Sequence, residues 1–112
     1  MNTSILEVNQ MPIGFVRVAG SFTERFKGLM LKDQDKATQH LMAIAPCKQV
    51  HTFFMKFPID VAYCDRYGKV IEVHKNIEPW HVDKSVSAAY IAVEAPAGTY
   101  LKDVSKGDVI YF

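Results

Sequence analysis

The run VHTFFMKFPIDVAYCD, from Val50 to Asp65, constrains this chain more than any other stretch, because it sets an aspartate inside a block that must be buried. Phe57 precedes a proline and is therefore held extended. A strand over 58–64 then places Ile59, Val61 and Tyr63 on one face and Asp60, Ala62 and Cys64 on the other. Neither face is polar enough for solvent, so this strand is central in its sheet and Asp60 points inward. A buried carboxylate without partners neutralises or destabilises the fold. Asp60 must find a cation or several hydrogen-bond donors, and the place where it finds them is a centre of the protein.

The flanking segments supply the rest of the sheet. Residues 5–8 and 13–18 predict short strands about a turn at 9–12. Ser21 and Glu24 have capping-box spacing. Phe22, Phe26, Leu29 and Met30 follow on one helical face, which predicts one principal helix over about 21–31. Arg25 lies at the edge of that stripe, its stem on the core and its guanidinium aimed at a partner. Residues 41–45 predict a strand, 65–68 a turn, and 70–73 the returning strand of a hairpin. A loop over 76–87 carries Pro79-Trp80-His81; a strand over 89–94 is closed by the Pro96-Ala97-Gly98 turn, and 109–112 form the last strand. The expected fold class is α+β: one domain over 1–112 with a small, mainly antiparallel sheet, curled or barrel-like, and one helix. A single helix leaves too few crossovers for a doubly wound parallel sheet.

At 112 residues the chain can bury roughly 65% of its unfolded surface, enough for one core without staples. Net charge is +1 with no basic block, so no nucleic-acid footprint is expected. No apolar run approaches the ~20 residues of a membrane span. The start MNTSILE has neither a basic region nor an apolar core of a signal peptide, so the expectation is a cytoplasmic protein. Cys47 and Cys64 then read as reduced thiols. A metal site would have to recruit Cys47, His51, Cys64, His74 and His81, whose spacings fit no zinc pattern, so neither metal nor cofactor is expected.

The candidate site residues are Arg25, His51, Asp60, Trp80 and Glu94. The structural reading pairs Asp60 with Arg25 and so docks the helix on the central strand; the functional reading builds a ligand or acid–base site from the same groups. His51 shares a face with Phe53, Met55 and Phe57 if 50–57 is extended, and a turn at Phe57-Pro58 would let Asp60 orient it as a base. Glu94 ends its strand on the face of Tyr90 and Ala92, where it caps the following turn or serves as a second carboxylate. Trp80 either folds back over the core or stacks on a ligand.

Several stretches occur together in order: ERFKGLM at 24–30, HTFFMKFPIDV at 51–61, Pro79-Trp80, VEAPAG at 93–98 and Gly107-Asp108. Together they resemble the family called domain of unknown function 192, over nearly the whole chain from Gly20 onward. The residue after Pro79-Trp80, often arginine in that family, is His81 here. Many relatives begin with an export segment that this sequence does not show. The resemblance implies a compact β-rich fold and supplies no reaction. Three function classes follow. A ligand-binding module with a pocket of Arg25, His51, Asp60 and Trp80 ranks first. An interaction subunit with an exposed apolar patch or edge strand ranks second. A hydrolase using His51 with Asp60 or Glu94, but no evident nucleophile, comes last. The partner is an unidentified small molecule or protein.

Overall fold

The computed structural model describes residues 2–19 and 40–112. Among these residues seven strands share one sheet: β1 Asn2–Val8, β2 Met11–Ala19, β3 Leu41–Ile44, β4 Ile59–Cys64, β5 Val70–Ile77, β6 Ile91–Pro96 and β7 Ile110–Tyr111. Their spatial order is β5-β4-β6-β3-β2-β1-β7. All pairings are antiparallel except β2 with β3. Strand β4 is interior in the sheet and buried at every position, as its two-sided apolar pattern requires.

The sheet curls into a half-barrel whose edge strands meet at one end. Lys69, just before β5, bridges Val109, just before β7. The Ile110 N–H donates to the Gly68 carbonyl at 2.8 Å and the Val70 N–H to the Asp108 carbonyl at 2.8 Å. Gly68 makes this closure sterically feasible: its φ is +91°, and a Cβ there would sit 2.1 Å from the Ile110 carbonyl oxygen.

Strand alternation divides the apolar residues into two cores. The inner one draws on all seven strands, with Leu6, Val16, Leu41, Ala62, Val70, Val93 and Ile110 among its members, and is closed by Leu101 and Val104. The outer one lies on the opposite face of β3, β4 and β6, through Met42, Ile44, Ile59, Val61, Tyr63 and Ala92. Two connections cover it, 45–58 and 78–90, contributing Val50, Met55, Phe57, Val86 and Ala89.

The described residues are mainly β, with no helix among them, in keeping with the expected curled, mainly antiparallel sheet; the helix expected over 21–31 lies outside the described residues. Two strand boundaries move for physical reasons. Strand β5 continues to Ile77 instead of ending at Val73, because an edge strand tolerates polar residues such as Lys75 and Asn76. Strand β6 begins at Ile91, not Ala89, since the Ala89 N–H closes a turn onto Val86 O at 3.0 Å. Ala89 is buried as a strand residue would be, which is why its side chain misleads. Residues 50–57 do not form a strand; His51 makes an isolated bridge to Val82 and the chain turns at Phe53-Phe54.

Candidate functional site

The two connections over the outer core are tied to each other before they are tied to the sheet. Four backbone bonds run 48–52 antiparallel to 80–86: Val86 N–H to Lys48 O at 2.8 Å, Asp83 N–H to Val50 O at 3.0 Å, Thr52 N–H to His81 O at 2.8 Å and Trp80 N–H to Thr52 O at 2.9 Å. Thr52 is the fastener. It is wholly buried; its hydroxyl donates to the Glu78 carbonyl at 2.6 Å and accepts from the His81 N–H at 2.8 Å. A hydroxyl both donates and accepts, so one side chain satisfies two backbone groups of the neighbouring loop.

On this frame sits an exposed aromatic surface. Trp80 is 60% exposed, Phe54 51% and Phe53 37%. The rings of Phe54 and Trp80 lie 4.7 Å apart, Phe53 is 6.2 Å from Trp80, and His51 is 5.0 Å from Phe53. Phe54 and Trp80 both have left-handed backbones, φ +64° and +66°. For bulky residues that conformation costs of order 1–3 kcal/mol each and persists only where the surroundings impose it. Here the surroundings are visible: the Phe53 N–H donates to His51 Nδ1 at 3.2 Å, the Met55 N–H to Thr52 O at 3.1 Å, and the Trp80 N–H is held by Thr52.

Beneath the surface a polar chain links the connections to the sheet. The Val50 N–H donates to the Tyr63 hydroxyl at 3.2 Å, and that hydroxyl donates to Asp83 Oδ2 at 2.7 Å. The same oxygen meets His74 Nδ1 at 2.6 Å, and His74 Nε2 meets Glu72 Oε1 at 2.9 Å. Burial alone would lower the His74 pKa, but hydrogen bonds and charge from Glu72 and Asp83 outweigh it and the net direction is up. Burial, then the hydrogen bond and charge of Asp83, push the Tyr63 phenol well above its ordinary value, so Tyr63 is a donor here and not a nucleophile. Glu72 and Asp83 sit at opposite ring nitrogens of His74, a line and not a chelate. Among the described residues no three His, Cys, Asp or Glu are grouped as a metal site.

The structure brings His51 and Trp80 onto one surface, through Phe53, and sends Asp60 and Glu94 elsewhere. Asp60 is 2% exposed and pairs across the sheet with Ala95, on the inner-core face. Its oxygens accept from the Asn76 N–H at 2.9 Å and the Gly98 N–H at 3.0 Å. Asn76 and Gly98 both have positive φ, +55° and +75°, so Asp60 pins two special backbone positions at once. These are the donors a buried carboxylate requires; Arg25 lies outside the described residues. Asp60 does not orient His51, which belongs to the connections over the other face.

Glu94 corrects its expected capping role, since the Pro96-Ala97-Gly98 turn is capped by Asp60. Glu94 pairs with Met42 and Val61 on the outer-core face, is 2% exposed, and its Oε2 has no hydrogen-bond partner among the described residues. Burial pushes its carboxyl up to about 7. Sequence reasoning missed Thr52, Tyr63, His74 and Asp83 as site builders. Thr52, a small polar residue inside an apolar run, was a readable signal; the 63–83 and 74–83 contacts had none.

A groove lined by Glu7, Asn9, Gln10, Val109 and Tyr111 lies where the β1–β2 turn meets the approach to β7. No helix among the described residues is long and apolar enough to cross a membrane.

Residues 5–112 match the family model of domain of unknown function 192, described as an uncharacterized ACR. The chain belongs to the DUF192 family. Curated relatives carry the name UPF0127 protein. That of Thermococcus gammatolerans is 31% identical over 87% of this chain and 65% of its own length. That of Thermococcus kodakarensis is 33% identical over 87% of this chain and 64% of its own length. The chain thus spans just under two thirds of these DUF192 relatives. A crystal structure of a protein of unknown function from Novosphingobium aromaticivorans superposes with a TM-score of 0.78, covering 98% of this chain and 85% of that one. At 14% identity, this likeness speaks for the fold alone.

Proposed function

We propose that this DUF192 chain is a ligand-binding module whose contact surface is the aromatic platform of Phe53, Phe54 and Trp80, with His51 at its edge. The observation that carries the reading is the Phe54–Trp80 pair: two large rings in contact, both left-handed, both more than half exposed. Folding alone does not account for it. Burying aromatic surface is what stabilises a core, and these rings are lifted out of one on a backbone that is costly to hold. Backbone strain fixed by a rigid scaffold is characteristic of ligand clamps. The rings suit a ligand that offers a face for stacking, such as a sugar or a heteroaromatic base.

A hydrolytic reading is weaker. The Asp60 oxygens are taken by backbone amides on the inner face, and Glu94 is buried within the sheet. The test is a thermal-shift screen of sugars, nucleotides and carboxylates. A ligand at about 100 times its Kd stabilises by roughly 2.7 kcal/mol. Trp80→Ala should leave the melting temperature of the free protein nearly unchanged and abolish the ligand's effect. A ligand shift that survives Trp80→Ala, or no shift with any of these classes, refutes the proposal.

A further inference from the structure

The polar chain under the platform ties both of its loops to the sheet at Tyr63, and adds a second tie at Asp83 through one titratable ring, His74. Asp83, with 11% of its side chain exposed, is the only charged side chain of the 78–90 connection bonded to the sheet among the described residues. Its Oδ2 receives the Tyr63 hydroxyl from β4 and His74 Nδ1 from β5. Tyr63 in turn receives the Val50 N–H from the other connection. His74 has 18% of its side chain exposed, and its ring lies 5.0 Å from that of Tyr63.

Among the described residues, the titratable groups facing His74 are Glu72 on its own strand, Asp83 on the 78–90 connection and Tyr63 on β4, with the Cys47 thiol acting beyond Tyr63. Two carboxylates on two ring nitrogens require two N–H donors. Only the imidazolium has both; a neutral ring turns a lone pair toward one carboxylate.

We infer that His74 is a proton-operated clamp, which as imidazolium fastens Asp83, and through it the connections bearing Phe53, Phe54 and Trp80, to the sheet, and which slackens when the ring loses its proton. On deprotonation the exposed Glu72 can swing into solvent, its side chain being 51% exposed. Asp83 cannot, and it keeps a neutral N–H in place of a charge-assisted one, a weaker bond. The pKa of His74 is raised on folding, so its stabilisation is complete below the ordinary histidine value and is lost as pH rises through the folded-state value. The platform is therefore held most firmly in mild acid. That this regulates binding rests on the platform reading; the clamp itself is read without any ligand.

The experiment is amide hydrogen exchange and histidine 15N NMR on the free protein from about pH 5.5 to about pH 9.5, spanning the ordinary histidine value. Both His74 nitrogens should be protonated at the acid end, with a midpoint above the ordinary one. Protection of the Thr52, Trp80, Asp83 and Val86 amides, corrected for base catalysis, should fall about fivefold to tenfold as His74 titrates, the difference between a charged and a neutral hydrogen bond. The β6 amides of Val93 and Ala95 serve as controls for global opening. His74→Gln, neutral throughout, should hold the four loop amides at low protection without a step attributable to the ring. If that variant does not fold, the wild-type titration decides alone. A neutral His74 at the acid end, or loop protection that tracks the β6 controls, overturns the clamp and leaves the platform proposal standing. A clamp confirmed with no ligand found leaves the reverse.

Discussion

Glu94→Gln should stabilise this protein above neutral pH, although it changes a residue inside the sheet. The Glu94 carboxyl is 2% exposed, its Oε2 lacks a hydrogen-bond partner among the described residues, and burial pushes it from 4.5 up to about 7. The folded state therefore keeps a proton that the unfolded chain has released. Stability from this group is complete below about 4.5, drains as pH rises toward about 7, and stays low above it. At about 1.4 kcal/mol per tenfold change in proton affinity, the loss is roughly 3 kcal/mol. Glutamine has nearly the same shape and is neutral at every pH. The variant should match wild type below about pH 4.5, where Glu94 is neutral in the folded and unfolded chains alike, and exceed it by roughly 3 kcal/mol near pH 8, about 10 °C in melting temperature. Urea unfolding followed by circular dichroism across that range measures both curves, and subtracting them removes the contribution of His74. Parallel curves, or a Glu94→Gln protein less stable than wild type near pH 8, would refute the reasoning, since either means that the buried carboxylate is compensated.

Asp60→Ala orphans two partly buried amides and should cost about 2–4 kcal/mol in urea unfolding at neutral pH; a variant as stable as wild type would mean that Asp60 does not pin Asn76 and Gly98. Thr52→Val keeps the shape but removes the hydroxyl, and should cost about 2–3 kcal/mol while raising exchange at Trp80 and His81 more than in β4. Cys64, whose thiol burial and the nearby Asp65 push up to about 12, should resist a thiol reagent in the native state and react on unfolding, whereas the half-buried Cys47 should react first.

The sheet was legible where the sequence pattern is set by burial, and obscure where it is set by contacts distant in sequence. The 58–64 run announced a central strand because both of its faces are apolar, and β4 lies between β5 and β6. The need of Asp60 for donors was equally readable, but their identity was not: the Asn76 and Gly98 amides depend on backbone angles that no composition encodes. Glu94 looked like a turn cap because it precedes a Pro-Ala-Gly sequence; the register shows that Asp60 reaches the turn first, from the inner face. Trp80 and His51 stand out in the sequence for their chemistry, and they share a surface only because Thr52 sews two loops together 26 and 29 residues apart in sequence. The parallel β2–β3 pair had no local signal at all, since strand direction depends on the path of the intervening chain.

The platform is the centre of this account, and the sequence contains a single tryptophan, Trp80, so the intrinsic tryptophan emission of the protein comes from the platform alone. The direct measurement is acrylamide quenching of that emission during titration with the strongest ligand of the thermal-shift screen. Free protein should be quenched readily, as 60% exposure requires, and quenching should fall several-fold on saturation, with the same Kd that the thermal shift reports. Emission and quenching that stay constant while the thermal shift saturates would put the ligand elsewhere on the fold and contradict the account.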